Sequence, residues 1–126
     1  MKYDDLLNVP FKRHGRDKNG FDCYGLVLEC CRRAGTPLKD LYSDIADLPI
    51  DKVSDYISGG LNVRQIAQAK VGALVYSVYK GNTHVGYIVE RDKVIHATID
   101  KGVKISPLRA FKPIAYYEVI NESDII

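Results

Sequence analysis

Three side chains have types and positions suited to joint chemistry: Cys23, His84 and His96. A thiol becomes a nucleophile when a base takes its proton, and imidazole does this near neutral pH. Cys23 follows Asp22, a good helix N-cap, so it falls in the first turn of a helix. There the unpaired N–H groups and the positive end of the dipole favour a thiolate. His84 and His96 lie in consecutive strand-like segments. The roles this arrangement predicts are specific. Cys23 attacks a carbonyl, and His84 takes its proton and later returns it to the leaving amine. His96 holds the far ring nitrogen of His84 and fixes its tautomer, as Asp or Asn does in other triads. The N–H groups at the helix start, around Asp22, Cys23 and Tyr24, are candidates for an oxyanion site. The competing reading makes Cys23 a small buried apolar residue and each histidine a structural strand residue. Cys30 and Cys31 lie two turns further on and read as core. His14, in a polar segment, reads as a solvated surface residue.

The elements that must carry these groups are visible as periodicities. Cys23, Leu26, Val27, Cys30, Cys31 and Ala34 form one apolar stripe at helical spacing. Arg32 and Arg33 suit the last turn, Gly35 the stop, and Pro37 forbids continuation. Before the helix, residues 10–20 (PFKRHGRDKNG) read as loop. After it, residues 51–58 read as a short helix and residues 61–71 as a further helical turn. Beyond Gly72 the sequence turns to Val, Ile and Tyr. Segments 73–79, 84–89, 93–98, 103–106 and 114–120 read as strands separated by turn residues. Helices first and an antiparallel meander afterwards make an α+β domain. His84 and His96 must share a sheet face if they are to meet. A tight turn at Arg91-Asp92 puts them on opposite faces, so the catalytic reading predicts a bulge or a wider, odd-length loop in that hairpin.

Length and composition agree with one such domain over residues 1–126, with 46% hydrophobic and 27% charged residues. A net charge of +2 gives no argument for a nucleic-acid partner, and no apolar run suits membrane insertion. Three cysteines, two of them vicinal, argue against a disulfide framework, and no C-x-x-C or H-x-x-x-H spacing suggests a metal. Neither metal nor cofactor is expected. The N-terminus, with Asp4 and Asp5 where a basic region would stand, does not read as a secretory signal. The expectation is a chain that stays in the cytosol, leaves by another route, or has lost its leader.

The same residues resemble the NlpC/P60 family of papain-like cysteine peptidases. Gly20-Phe21-Asp22-Cys23-Tyr24-Gly25-Leu26-Val27 is similar to the family's G-F-D-C-S-G-L-V segment. His84-Val85-Gly86-Tyr87-Ile88-Val89 resembles its H-V-G-I-Y strand, and Val94-Ile95-His96-Ala97 its following I-H-A strand. Lys70-Val71-Gly72-Ala73-Leu74-Val75 looks like its K-P-G-D-L-V segment. The resemblance covers roughly residues 8 to 120. It implies a papain-like α+β fold and a metal-free triad of Cys23, His84 and His96. It also implies hydrolysis of amide bonds in bacterial peptidoglycan stem peptides, often between D-glutamyl and a diamino acid residue. The short chain, the missing export signal and D-C-Y-G in place of D-C-S-G look like members carried in phage and prophage tail modules. Those are made in the bacterial cytoplasm and meet the cell wall as part of a tail, with tail proteins as partners. Three departures stand out. Tyr24 replaces the usual Ser, which would alter the adjoining substrate subsite. Phe11 stands twelve residues before Cys23, where many members carry a Tyr that contributes to the oxyanion site. Ala73 replaces the usual Asp.

Two alternatives belong to other classes. One is a structural tail component that keeps the fold without catalysis. The other keeps the acyl-thioester chemistry but transfers the acyl group or deamidates a protein or lipid.

Overall fold

The helix begins where a capping carboxylate allows it. Asp22 has extended backbone angles, and its Oδ1 accepts the Gly25 N–H at 2.6 Å. Its carbonyl accepts the Leu26 N–H at 3.1 Å. Helix α1 then runs Cys23–Arg33, with Arg32 and Arg33 in the last turn and Gly35 just beyond. Of the expected apolar stripe, Cys23, Leu26, Val27, Cys30 and Cys31 are buried, whereas Ala34 is the C-cap just past the helix and is exposed. Aliphatic side chains such as Leu26 and Val27 contribute about 1.5–3 kcal/mol each when fully buried.

The computed structural model describes residues 2–40, 62–79 and 81–120. The expected helix at 51–58 lies outside the described residues. Ahead of α1, a 3-10 turn at Asp4–Leu6 is followed by a small hairpin, β1 (Arg16–Asp17) with β2 (Gly20–Phe21). The segment expected to be plain loop therefore contains a short strand, because Gly20-Phe21 pairs back on Arg16-Asp17. Six longer strands follow: β3 (Val63–Ile66), β4 (Leu74–Tyr79), β5 (Asn82–Glu90), β6 (Lys93–Thr98), β7 (Gly102–Pro107) and β8 (Ala115–Val119). Between β7 and β8 lies a single helical turn, α2 (Leu108–Phe111), which the sequence reading did not anticipate.

Each neighbouring pair in the six-stranded sheet is antiparallel, in the order β3-β8-β4-β5-β6-β7. The fold is α+β, as expected. Strands β4 to β7 form the expected meander, but β8 crosses back to the far side of β4 and β3 pairs outside it. Residues 63–66 are thus strand rather than the expected helical turn. Exposed Arg64 and Gln65 between Val63 and Ile66 left a weak apolar pattern, and pairing with β8 decided the conformation.

Helix α1 packs on β5 and β6. Its stripe meets Val85, Tyr87, Ile95, Ala97 and Val103 in the main core. Alternate residues of the same strands point the other way, and Val75, Ile88 and Val94 form a second cluster with Phe111. Tyr76, Tyr87 and Tyr117 are buried among the core residues.

Candidate active site

Cys23 is the first residue of α1 and is 4% exposed. Two features of its motif have clear local causes. Asp22 Oδ1 also accepts from Arg16 Nη1 at 2.8 Å, so one buried carboxylate ties the β1 strand to the helix start. Gly25 lies against the backbone of Gly15, where a Cβ would come within 2.0 Å of the Gly15 carbonyl oxygen. A side chain at position 25 would push the helix start off its support. Tyr24 is buried, its hydroxyl donates to the Lys39 carbonyl, and the Arg16 guanidinium lies 5.7 Å from its ring centre. Its side chain is built into the fold around Arg16. Phe11 is half-buried, bridges to Phe21 and packs against the main core.

The two histidines meet. His84 Nε2 and His96 Nδ1 are 2.9 Å apart, and both residues are 7% exposed. The register explains how. The β5–β6 hairpin closes tightly, with Glu90 opposite Lys93, and further in Ile88 faces Val94 and Tyr87 faces Ile95. A register shift between Ile88 and Glu90 leaves Val89 as the extra residue, the bulge that a shared face requires. Continuing the Tyr87–Ile95 pairing by one residue sets His96 across from Gly86. His84 and His96 are then diagonal neighbours on one face rather than a directly opposed pair, within reach for ring side chains. Gly86 leaves the space between them. A Cβ there would lie 2.5 Å from Val94 Cγ2 and 3.3 Å from Phe111 Cε2.

Two further residues complete the cluster, and neither was singled out from sequence. Ser106 Oγ lies 2.8 Å from His96 Nε2. His96 pairs with Lys104 across β6–β7 and Val94 with Ser106, so Ser106 is again a diagonal neighbour. His84, His96 and Ser106 form one diagonal row over three strands. Phe111 of α2 stacks on His84, with ring centres 5.1 Å apart, and stands edge-on to His96 at 5.2 Å. The α2 turn is held by Ser77 Oγ, which donates to the Phe111 carbonyl at 2.7 Å. Ser77 is the β4 partner of His84. A strand register drawn out to Ser106 could have found that residue. Phe111 carries no such signal, because it arrives through a turn outside the sheet.

Burial is the main influence on both rings. It pushes His84 down to about 4 and His96 to about 3, with Lys104 acting in the same direction on each. At neutral pH both imidazoles are uncharged, which leaves lone pairs able to accept a proton. Cys30 and Cys31 are buried in the main core, and burial raises both thiols, Cys31 to about 12. Neither is a nucleophile at neutral pH. His14 is exposed, as expected. Among the described residues, no group of three His, Cys, Asp or Glu side chains could hold a metal ion.

The model of the NlpC/P60 family matches residues 8–119. This chain belongs to the NlpC/P60 family. NlpC/P60 proteins are cysteine peptidases that hydrolyse peptidoglycan. Solved structures share the NlpC/P60 fold with this chain. The NlpC/p60 domain of the peptidoglycan hydrolase SagA superposes with a TM-score of 0.62 at 23% identity, over 94% of this chain and 93% of that one. The P60 domain of antigen MAP1204 from M. avium subspecies paratuberculosis gives 0.63 at 20%, over 96% and 90%. An NLP/P60 protein similar to a lipoprotein, from Staphylococcus aureus, gives 0.66 at 22% identity, over 96% of this chain and 40% of that one. This chain thus spans nearly all of two isolated NlpC/P60 domains and less than half of a longer protein. No curated protein sequence matches it significantly.

Proposed function

We propose that this NlpC/P60 chain hydrolyses an amide bond in peptidoglycan stem peptides, with Cys23 as nucleophile, His84 as base and His96 as orienting residue. The observation that carries the reading is the His84 Nε2 to His96 Nδ1 contact. In this reading Nε2 of His84 is held by His96 and the thiol proton goes to Nδ1.

The reaction then runs as follows. Cys23 Sγ attacks the carbonyl carbon while its proton passes to His84 Nδ1. The oxygen that gains charge is met by N–H groups at the start of α1, that of Cys23 first among them. The C–N bond breaks, His84 gives its proton to the departing amine, and an acyl-thioester remains. Water attacks the thioester, His84 takes a water proton, and that proton returns to sulfur as the C–S bond breaks. The Tyr24 side chain, committed to Lys39, acts on this site through the fold, and Phe11 offers no hydroxyl to the oxyanion. Neither metal nor cofactor takes part.

The place of action we infer is a phage or prophage tail. The support is the Cys23-Tyr24-Gly25 sequence in place of Cys-Ser-Gly, which resembles tail-module members of NlpC/P60. The protein would be made in the bacterial cytoplasm and reach the wall as part of a particle with other tail proteins.

The test is digestion of purified peptidoglycan, with new amines counted and fragments identified by mass spectrometry. Wild-type protein should release amine and a shortened stem peptide, and Cys23→Ala should release none. His84→Ala should lose about 10²–10⁴ in rate, the usual worth of general acid–base catalysis. His96→Ala should lose less. Full activity of Cys23→Ala would remove the nucleophile assignment. An inert wild type that also ignores a thiol-directed probe at neutral pH would make the chain a structural component.

A further inference from the structure

We propose that Ser106 is a positioning residue of this site: its hydroxyl accepts from His96 Nε2–H and so keeps the proton of His84 on Nε2, leaving Nδ1 as a lone pair. The proposal rests on the Cys23–His84–His96 reading and adds a fourth residue to it.

A neutral imidazole has one N–H and one lone pair. His84 Nε2 faces His96 Nδ1 at 2.9 Å, so those two nitrogens share a single proton. His96 Nε2 faces Ser106 Oγ at 2.8 Å. The row has two self-consistent states. In one, His84 Nε2–H donates to His96 Nδ1 and His96 Nε2–H donates to Ser106 Oγ. In the other, every bond is reversed: Ser106 donates to His96 Nε2, His96 Nδ1–H donates to His84 Nε2, and the proton of His84 is forced onto Nδ1. The second state presents the thiol with a donor instead of a base.

A serine hydroxyl can end either row, but only the first gains from proton transfer. When His84 takes the thiol proton it becomes an imidazolium, and its Nε2–H bond to His96 is charge-assisted. The same polarisation passes through the His96 ring to Nε2–H and to the oxygen that accepts it. Removing that oxygen, as Ser106→Ala does, leaves a largely buried N–H without an acceptor, and His96 then does better with its proton on Nδ1. Phe111 lies against both rings and limits room for a water to stand in. The charged neighbour on β7 is Lys104, opposite His96, whose ammonium opposes any state with the pair protonated.

Long-range 1H–15N spectra of labelled protein at pH 7 identify the protonated nitrogen of each ring. The wild type should show N–H at Nε2 of both His84 and His96. In Ser106→Ala, His84 should shift toward the Nδ1–H form, with kcat for wall-peptide hydrolysis lower by about two- to tenfold and KM little changed. Ser106→Thr, which keeps the hydroxyl, should restore both. A wild type with His96 protonated at Nδ1, or a Ser106→Ala protein with unchanged tautomers and kcat, would overturn the proposal. If Ser106→Ala does not fold, the wild-type spectrum alone decides. If the wild type hydrolyses nothing, the hydrolase reading fails while the ring spectra still decide the part played by Ser106.

Discussion

One carboxylate oxygen of Asp22 accepts from both the Gly25 N–H and Arg16, so this residue sets the start of the helix on which Cys23 sits. Asp22→Ala should cost about 0.5–2 kcal/mol in urea unfolding, the range for a lost N-cap, and Asp22→Asn clearly less. Equal losses would mean that the charge facing Arg16, rather than the cap, is what matters. His84 is the other residue whose surroundings set its behaviour. Burial holds its imidazole down to about 4, against an ordinary 6.5. The acid limb of kcat/KM should therefore lie well below pH 6.5, toward about 4. A limb at 6.5 in the pH–rate profile would show that the ring is wetter than its packing against Phe111 implies.

Among the elements, the β5–β6 hairpin carries the decisive irregularity. If Val89 were paired regularly instead of bulged, the tight closure at Glu90–Lys93 would turn His96 to the face of Tyr87 and away from His84. Gly86 lets the rings, Val94 and Phe111 crowd together over that hairpin. Gly86→Ala should destabilise the fold by about 1–3 kcal/mol, as overpacking does, and reduce hydrolysis further by displacing the histidines. Chemical denaturation and rate measurements on the same preparation check both parts. A stable, fully active Gly86→Ala would mean that Val94 can move aside without disturbing the pair. The α2 turn matters for a related reason, since it brings a ring from outside the sheet onto both imidazoles.

For the whole molecule, the buried histidines make stability depend on pH. Both bind a proton less readily folded, at about 4 and about 3, than unfolded, near 6.5. The unfolded state therefore takes up more protons as pH falls, and their contribution to stability is full above pH 6.5. It is lost progressively as pH drops through about 4 for His84 and about 3 for His96. The carboxylates of Glu29 and Glu118 are held low by their arginine and lysine partners, so their losses come later on acidification. The urea midpoint should fall between pH 6.5 and 5, and a His84→Gln, His96→Gln double variant should fall less over that range. Parallel curves for the two proteins would show that the pair contributes nothing to the slope.

By itself the sequence determined what short-range physics controls. Asp22 caps because its side chain reaches an N–H three residues on. The stripe from Cys23 to Cys31 makes a helix that buries those side chains, and the Val-, Ile- and Tyr-rich segments make strands whose limits could be placed within two residues. The order of Cys23, His84 and His96, with their flanking glycines, was enough to suggest the NlpC/P60 family that the match over residues 8–119 then established. Tertiary structure decided the rest. Residues 63–66 became strand because β8 crossed back to pair with them, a long-range choice that no local pattern announces. The His84–His96 contact required a bulge that shifts the register by one residue, and the sequence left that parity open. Ser106 and Phe111 joined the site through a neighbouring strand and a returning turn. Which side chains meet across separate strands depends on how the strands are paired, and that pairing is fixed by packing of the whole chain.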